Sequence, residues 1–556
     1  MANIASLLKA QLATPDRILY RQFADGAWRD YTAREIAAYA ARWQTFFRAE
    51  RFERGERVAL CLKNGIHWVA ADQAALGRGL VIVPLYADDN PENVAYCLQN
   101  SGARILVVEN SRMAAALAKS QENQGAKPPR VLCLAADRNG SDVTVEAALP
   151  RQAGEFEVVA LEEDALATIC YTSGTVGRPK GVMLSHGNIL ANVSACDRLG
   201  IARRDDVFLS LLPLSHMFER SGGYYLPLSL GAKVAYARSV SQLPEDLLTE
   251  RPTVMFAVPR VFEKFAGKLN ETLAKSPMKK RVFDLVVAAG GRLARDRGGL
   301  ADRAVVAILR GAVARPVLAR MGGRLRLAVL GGAPLDPSIA WLFIGLGLPV
   351  LQGYGMTEAS PVISVNREQH NVPESVGKPL DNVEAKIAPS GELLVRGPSI
   401  MRGYWNNPEA SAKSLADGWL HTGDLAEIED GLIYIRGRLK DVLVLSNGEK
   451  LPPQDVELAI LGDPVFEQAI LVGEGRPFLT LVTVTRETDE RSLIARANER
   501  LKQFPRYIRV RRVVPTPEPW SVDNGMLTPT LKVRREKVQK ELGAQIERAY
   551  ASGAID

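Results

Sequence analysis

Apolar residues recur with two periods along this chain, and the switches between them outline its organisation. YTAREIAAYAARWQTFFRAE (31–50) spaces apolar side chains three and four apart, which predicts an amphipathic helix. RVALCLKNG, GLVIVPLY, ARILVVEN and RVLCLAA are short apolar runs bounded by Gly, Asn or Pro, and they read as strands. Helix and strand patterns alternate through the first 160 or so residues. They continue through VFLSLLPL, AKVAYA, TVMFAVP and LRLAVLGGAPL. Such alternation predicts an α/β layer with a mostly parallel sheet. From about Glu374 the texture shifts to short strands and turns (AKIAPSGELLVRG, GLIYIRG), a small β unit. After Lys440 a smaller α+β unit follows, with VFEQAILVGEG and FLTLVTVT as strands. The fold class is therefore α/β: a large N-terminal part of layered α/β subdomains plus a small β unit, then a small C-terminal domain. There are no internal repeats and no low-complexity tract.

The longest uncharged run, Pro337 to Thr357, approaches the ~20 apolar residues of a membrane span. Gly345, Gly347, Pro349, Gln352 and Gly353 interrupt it, so it reads as a buried helix (IAWLFIGLG) followed by a strand (PVLQGYG). The start, MANIASLLKAQLATPDRILY, lacks the basic and apolar regions of a signal peptide.

Composition sharpens this picture. At ~150 residues per domain, 556 residues suggest three or four structural units. With 47% hydrophobic and 24% charged residues, wholesale disorder and fibrous structure are excluded. The five cysteines, Cys61, Cys97, Cys133, Cys170 and Cys196, form no CxxC pair. Their number is odd, which argues against a disulfide framework or zinc knuckle and fits a reducing cytosol. Five histidines leave little scope for a His-rich metal site. The net charge is +7, yet Lys264 to Arg326 alone holds 15 basic and four acidic residues. That segment also carries apolar runs at helical spacing (VFDLVVAAGGRLA, AVVAILRGAVARPVLA). A basic amphipathic stretch of this kind can rest on an anionic membrane; the alternative is a set of solvated helix faces. Its only aromatics are Phe265 and Phe283, too few to interleave with the basic residues for base stacking, so no nucleic-acid partner is expected. The location expected is cytoplasmic, with residues 264–326 available for peripheral contact with the inner face of the membrane.

The strongest local signal is Tyr171-Thr-Ser-Gly-Thr-Val-Gly-Arg-Pro-Lys-Gly181, after the apolar run ALATIC. A strand leading into a Gly/Ser/Thr loop with a lysine is physically suited to cradle phosphates. Glycines admit the anion, N–H groups and hydroxyls donate, and Lys180 adds charge. It is not a Walker A loop, because Lys180 is followed by Gly181 rather than Ser or Thr. On composition alone an ordinary turn is an equal reading.

YTSGTVGRPKGVMLSHGN resembles the phosphate-binding loop of the adenylate-forming superfamily, which includes acyl-CoA synthetases. Further resemblances follow in order. Leu330-Gly-Gly-Ala-Pro-Leu335 resembles the adenine-binding turn, and Gln352-Gly-Tyr-Gly-Met-Thr-Glu358 the nucleotide and magnesium motif. Asp417-Gly-Trp-Leu-His-Thr-Gly-Asp424 resembles the ribose motif. Arg436-Gly-Arg-Leu-Lys-Asp441 resembles the interdomain hinge, and Thr528-Pro-Thr-Leu-Lys-Val-Arg534 the segment of the catalytic lysine.

The resemblance implies ATP-dependent activation of a carboxylate to an acyl-adenylate, and then transfer to CoA. It assigns Thr172, Ser173, Gly174, Thr175 and Lys180 to the phosphates. Gly332, Ala333, Pro334 and Tyr354 go to adenine, Thr357 to the α-phosphate and Glu358 to Mg2+. Asp424 would bind the ribose, Arg438 the ribose-phosphate region, and Gly448 would flank the path of CoA. Lys532 would bridge carboxylate and α-phosphate; outside the LTPTLK context it would read as one more surface lysine beside Arg534, Arg535 and Lys537. His216, in LPLSHMFER, would lie by the substrate carboxylate and thiol path, where a satisfied core histidine is the alternative. Lys440 would be the hinge of a mobile C-terminal domain, with domains at 1–438 and 439–556. Tyr404, Trp405, Trp419 and His421 read as packing residues.

LPLSHMFERSGGYYLPL, VPRVFEKF, DGWLHTGD, LTPTLKVRR and the long insert between Val258 and Leu325 resemble long-chain fatty acyl-CoA synthetases. The expected substrates are a fatty acid, ATP and CoA, with Gly222, Gly223 and Tyr224 as candidates for the acyl pocket. Arg506, Arg509, Arg511 and Arg512 could meet the phosphates of CoA or form a solvated face. Two enzymatic alternatives stay open: an acyl-AMP ligase serving a carrier protein, and a ligase for shorter or aromatic acids. A nucleotide-regulated membrane-binding protein is the non-catalytic alternative.

Overall fold

The computed structural model describes residues 3–123, 129–135, 143–172, 178–446, 449–502, 504–505, 508–522, 524–528 and 532–555. Its contacts divide the chain into two units. One comprises Met1–Thr172, Pro179–Glu384 and Arg396–Gly418; the other comprises Ser173–Arg178, Ala385–Val395 and Trp419–Asp556.

The first unit holds two large sheets. The apolar runs of the N-terminal alternation become the strands Arg57–Cys61, Val81–Pro84, Ile105–Asn110 and Arg130–Ala135. They pair in parallel and join Leu166–Thr172, which continues antiparallel into Lys180–Ser185 and Gly403–Tyr404. The second sheet has a parallel centre of Lys233–Tyr236, Val207–Ser210, Val254–Ala257, Leu327–Leu330 and Val350–Gly355. The central strands are buried along their length, as expected for a parallel sheet covered by helices on both faces.

One edge of this second sheet is a hairpin of Ile18–Ala24 and Ala27–Thr32, turned at Asp25-Gly26, both with positive φ. Asp-Gly between two strands is the residue pair such a turn favours. Ile18–Ala24 pairs in parallel with Lys233–Tyr236, so the first strand of the chain joins a sheet built from its middle.

The predicted helix at 31–50 spans Ala33–Ala49, with Thr32 and Glu35 forming a capping box. The uncharged run resolves as helix Pro337–Leu346 and strand Val350–Gly355. Helix Pro277–Ala294 crosses Pro337–Leu346 where Gly290 meets Gly345, and a Cβ on either would strike the other's backbone or that of Val287. No helix among the described residues is long and apolar enough to cross a membrane. All five cysteines are buried with free thiols.

The second unit contains an antiparallel ribbon, Trp419–Glu429 with Leu432–Arg438, beside Glu392–Arg396. It also contains a three-stranded sheet of Gln468–Val472, Leu479–Val484 and Val510–Thr516. Its two predicted strands thus form, and helices Pro453–Leu461 and Glu490–Arg500 supply buried side chains to its core.

Candidate active site

The second sheet places three candidate segments at the carboxyl ends of its parallel strands, where open α/β sheets bind ligands. Val207–Ser210 leads to His216, Leu327–Leu330 to Gly331–Leu335, and Val350–Gly355 to Thr357 and Glu358. Gly332 sits at φ +81°, the left-handed region that favours glycine, and Ala333 and Pro334 beyond it are exposed. A Cβ on Gly331 would lie 3.3 Å from Phe218 Cζ and 3.5 Å from Gly353 O. The His216 segment, the 331–335 turn and the strand of Tyr354 are therefore in immediate contact. Tyr354 is half-buried in register with Ser364, and Thr357 and Glu358 form a single helical turn after it.

The first sheet supplies the loop-bearing strand. Thr172 ends Leu166–Thr172 opposite Lys180. Ser173, Gly174 and Thr175 lie outside the described residues. Strand Gly403–Tyr404 lies beside Lys180–Ser185, and Met401 N donates to Glu358 O at 2.8 Å. Tyr404 is buried; its hydroxyl donates to Glu358 Oε1 at 2.8 Å, and Lys180 Nζ sits 5.0 Å from its ring centroid. Lys180 and Glu358, distant in sequence, thus share one tyrosine that the sequence suggested was only packing.

His216 is half-buried rather than enclosed in the core. Its Nδ1 accepts from Phe218 N at 3.2 Å, so the neutral ring carries its proton on Nε2. The next turn, Glu219–Tyr225, is a wide π-helix, a form that recurs at functional sites. All seven residues are buried. Gly222 lies under Phe256, where a Cβ would come within 2.7 Å of Cε1. Burial pushes the Glu219 carboxyl up to about 8.

The acyl-pocket expectation for Tyr224 is not what its hydroxyl does. It donates to Asp72 Oδ2 at 2.9 Å and accepts from Gln73 Nε2 at 2.6 Å. Tyr224 is part of a buried polar network centred on Arg220 and Asp72, whose ion pair is 2.6 Å long with both side chains fully buried. Arg220 Nη1 also donates to Thr168 Oγ1 at 2.9 Å, which ties the network to the strand ending at Thr172. Nothing in the local sequence around Arg220 marks it as buried. The available signal was Asp72-Gln73 inside a mostly apolar helix, Ile66–Gly77.

In the second unit, Asp424 and Arg438 face each other across the ribbon, with Arg438 Nε 3.1 Å from Asp424 Oδ1. Asp424 is nearly buried, and Arg438 is 37% exposed. Glu392 fixes the turn before Asp424 by accepting from Gly423 N at 2.9 Å and lying 3.0 Å from His421 Nδ1. Register shifts occur on both strand pairs here, the local kinks by which a bulge re-aims a side chain. His421 therefore braces the Gly423-Asp424 segment through Glu392, and Trp419 packs under Lys386 at 4.1 Å.

Lys440 is exposed in the one-turn helix Leu439–Asp441. Gly448 lies outside the described residues. Its loop leaves the short pair Leu443–Val444 and Lys450–Leu451, and Ser446 N donates to Arg476 O at 3.0 Å. Lys532 is exposed. Thr528 N donates to Lys532 O at 2.8 Å, and Lys532 N to Thr528 Oγ1 at 3.0 Å. Of the four arginines considered for CoA, Arg512 is paired with Glu490 at 2.8 Å, and Arg506 lies outside the described residues.

A family model described as AMP-binding enzyme matches residues 8–405, and one described as AMP-binding enzyme C-terminal domain matches residues 440–554. The chain is 31% identical over 588 residues to the long-chain-fatty-acid–CoA ligase FadD15 of Mycobacterium bovis, covering 99% of this chain and 97% of that protein. It is 26% identical to the long-chain-fatty-acid–[acyl-carrier-protein] ligase AEE15 of Arabidopsis thaliana, covering 89% and 79%. Among solved structures, ATP-bound MatB from Rhodopseudomonas palustris shares the fold at a TM-score of 0.76 and 22% identity, covering 98% of this chain and 99% of that one.

Proposed function

This chain belongs to the AMP-binding enzyme family, the adenylate-forming enzymes, and we propose that it converts a long-chain fatty acid, ATP and CoA into fatty acyl-CoA, AMP and pyrophosphate. The observation that carries this reading is the meeting of Glu358 and Lys180 at Tyr404, beside the strand ends that bear Gly332 and Tyr354. The full-length similarity to a long-chain ligase supports the choice of acid.

The chemistry requires two anions to meet. The carboxylate oxygen attacks the α-phosphorus and pyrophosphate leaves, so oriented donors and positive charge must face the developing charge. We assign Lys180, Thr172 and the 173–175 loop to the departing phosphates, and Thr357 to the α-phosphate. Gly332, Ala333, Pro334 and Tyr354 frame the adenine. Asp424, held by its bulged strand and by Arg438, accepts from the ribose hydroxyls. Lys532 bridges carboxylate and α-phosphate. His216 offers its Nε2 proton to the acyl carboxylate.

Glu358 suits Mg2+, which takes one or two carboxylates plus substrate phosphates rather than an all-protein cage. When bound, Mg2+ would offset phosphate charge. No protein nucleophile is required, because the mixed anhydride is already an activated acyl group for the CoA thiol.

We place the functional boundary at 438/439, with Lys440 as the pivot that exchanges the Lys532 and Gly448 segments between half-reactions. Lys440→Pro then leaves acyl-AMP formation near wild type and slows thioester formation from supplied acyl-AMP, because proline fixes φ at the pivot. Rapid-quench assays of the separate half-reactions read this. A normal thioester rate in the variant would exclude Lys440 as the pivot.

The basic insert supports peripheral membrane contact. Helix Leu300–Ala319 exposes Leu300 (84%) and Ile308 (74%), together with Ala304, Ala307, Gly311 and Ala312. Arg303 and Arg315 flank this face, and Asp302 is taken by Arg292 at 2.5 Å. An exposed apolar face edged with arginine matches an anionic bilayer better than a solvated surface does. At about 1 kcal/mol per basic residue, Arg303→Gln with Arg315→Gln lowers partition onto phosphatidylglycerol vesicles ~30-fold. Unchanged flotation of the double variant would remove this reading.

A series of acids from acetate to stearate, with benzoate, tests the substrate assignment. Each buried methylene contributes ~0.8 kcal/mol, so kcat/KM climbs with chain length until the pocket ends. A maximum at short or aromatic acids would overturn the long-chain assignment. Acyl-AMP accumulating without acyl-CoA would move the acceptor to a carrier protein.

A further inference from the structure

We propose that Tyr404 is a positioning residue for the nucleotide's cation and phosphates, fixing Glu358 through its hydroxyl and Lys180 through its ring. The inference rests on the reading of Glu358 as the Mg2+ ligand and of Lys180 as a phosphate contact.

Residues 401–405 stitch two functional segments together. Met401 N donates to Glu358 O at 2.8 Å, Arg402 N to Met183 O at 3.0 Å, and Trp405 N to Gly181 O at 2.7 Å. One backbone segment therefore holds both the turn of Glu358 and the strand of Lys180. Tyr404 lies within it, and its own N–H donates to Ser411 Oγ at 2.8 Å. The residue is only 7% exposed, so the hydroxyl has little freedom.

That hydroxyl donates to Glu358 Oε1 at 2.8 Å. The bond fixes one carboxylate oxygen and leaves Oε2 as the second acceptor. Donors of this kind behind a ligating carboxylate fix its orientation, and their loss commonly costs 10–100-fold in metal affinity. On the ring side, Lys180 Nζ lies 5.0 Å from the centroid, within cation–π range. The ring holds the ammonium near the end of the strand that bears the phosphate loop, without neutralising it as a carboxylate would.

Two substitutions separate these roles. Tyr404→Phe keeps the ring and removes the donor; Tyr404→Leu removes both. The readout is Mn2+ binding by electron paramagnetic resonance, with α,β-methylene-ATP as the non-reacting nucleotide. Tyr404→Phe should weaken Mn2+ binding in the ternary complex about 10–100-fold, with the metal-free affinity for the analogue and the melting curve close to wild type. Tyr404→Leu should weaken Mn2+ binding similarly and also weaken the metal-free analogue several-fold. Wild-type Mn2+ affinity in a folded Tyr404→Phe would overturn the proposal and leave Tyr404 as a packing residue. If Glu358→Gln also binds Mn2+ as the wild type does, the assignment of Glu358 fails as well, so the two failures are told apart.

Discussion

Lys532→Ala lowers the rate of acyl-adenylate formation by about two to three orders of magnitude, the usual cost of removing one donor aimed at developing transition-state charge. Thioester formation from supplied acyl-AMP stays near the wild-type rate. Thr528 N donates to Lys532 O and Lys532 N to Thr528 Oγ1, and the side chain is exposed. Losing the ammonium leaves these two hydrogen bonds in place. The measurement is single-turnover chemistry with each half-reaction started separately. Equal losses in both would contradict an assignment of Lys532 to adenylation alone.

Arg220→Met carries the largest expected effect on stability, a loss of about 3–5 kcal/mol, because it strands Asp72 as an uncompensated buried charge. Arg220 and Asp72 are fully buried, and Tyr224 and Tyr225 hydroxyls close around the carboxylate. Removing both charges in Asp72→Leu/Arg220→Met recovers part of the loss, since no lone charge remains. Recovery is incomplete, because Thr168 and the two tyrosines lose their partner. Urea denaturation reads these effects. A single variant within ~1 kcal/mol of wild type, the ordinary range for surface changes, would show that the pair does not anchor this core. Through Thr168 the same pair braces the strand that ends at Thr172, so a folded Arg220→Met also binds ATP more weakly.

What was legible in the sequence was whatever local pattern controls. Apolar runs ending in Gly or Pro, such as Val254–Ala257 and Leu327–Leu330, became central parallel strands where expected. The uncharged run at 337–357 became a helix and a strand because its glycines stop the helix; Gly347 caps it in the left-handed region. The Asp25-Gly26 hairpin was within reach of turn chemistry, but its pairing with Lys233–Tyr236 was not. Strand order is set by tertiary packing and leaves no local periodicity.

The same division holds at the site. Motif residues were assigned by resemblance, and the structure brings the His216, Gly331–Leu335 and Glu358 segments to the carboxyl ends of strands in one parallel sheet. The residues it added were partners. Tyr404 read as packing because only its distance to Glu358 shows what the hydroxyl does. Arg220 looked like an ordinary charged residue because Asp72 is 148 positions away. His421 and Glu392 likewise work as a pair that neither local sequence shows.

The central claim is that the carboxylate attacks the α-phosphorus of ATP, and isotope transfer tests it most directly. Palmitate labelled with 18O in both carboxylate oxygens is turned over with ATP, Mg2+ and CoA, and the phosphorus products are weighed by mass spectrometry. The account predicts one 18O in AMP and none in pyrophosphate, because the bridging oxygen of the acyl-adenylate leaves with the nucleotide. Label in orthophosphate with ADP formed, or AMP without label, would contradict adenylation as the activating step.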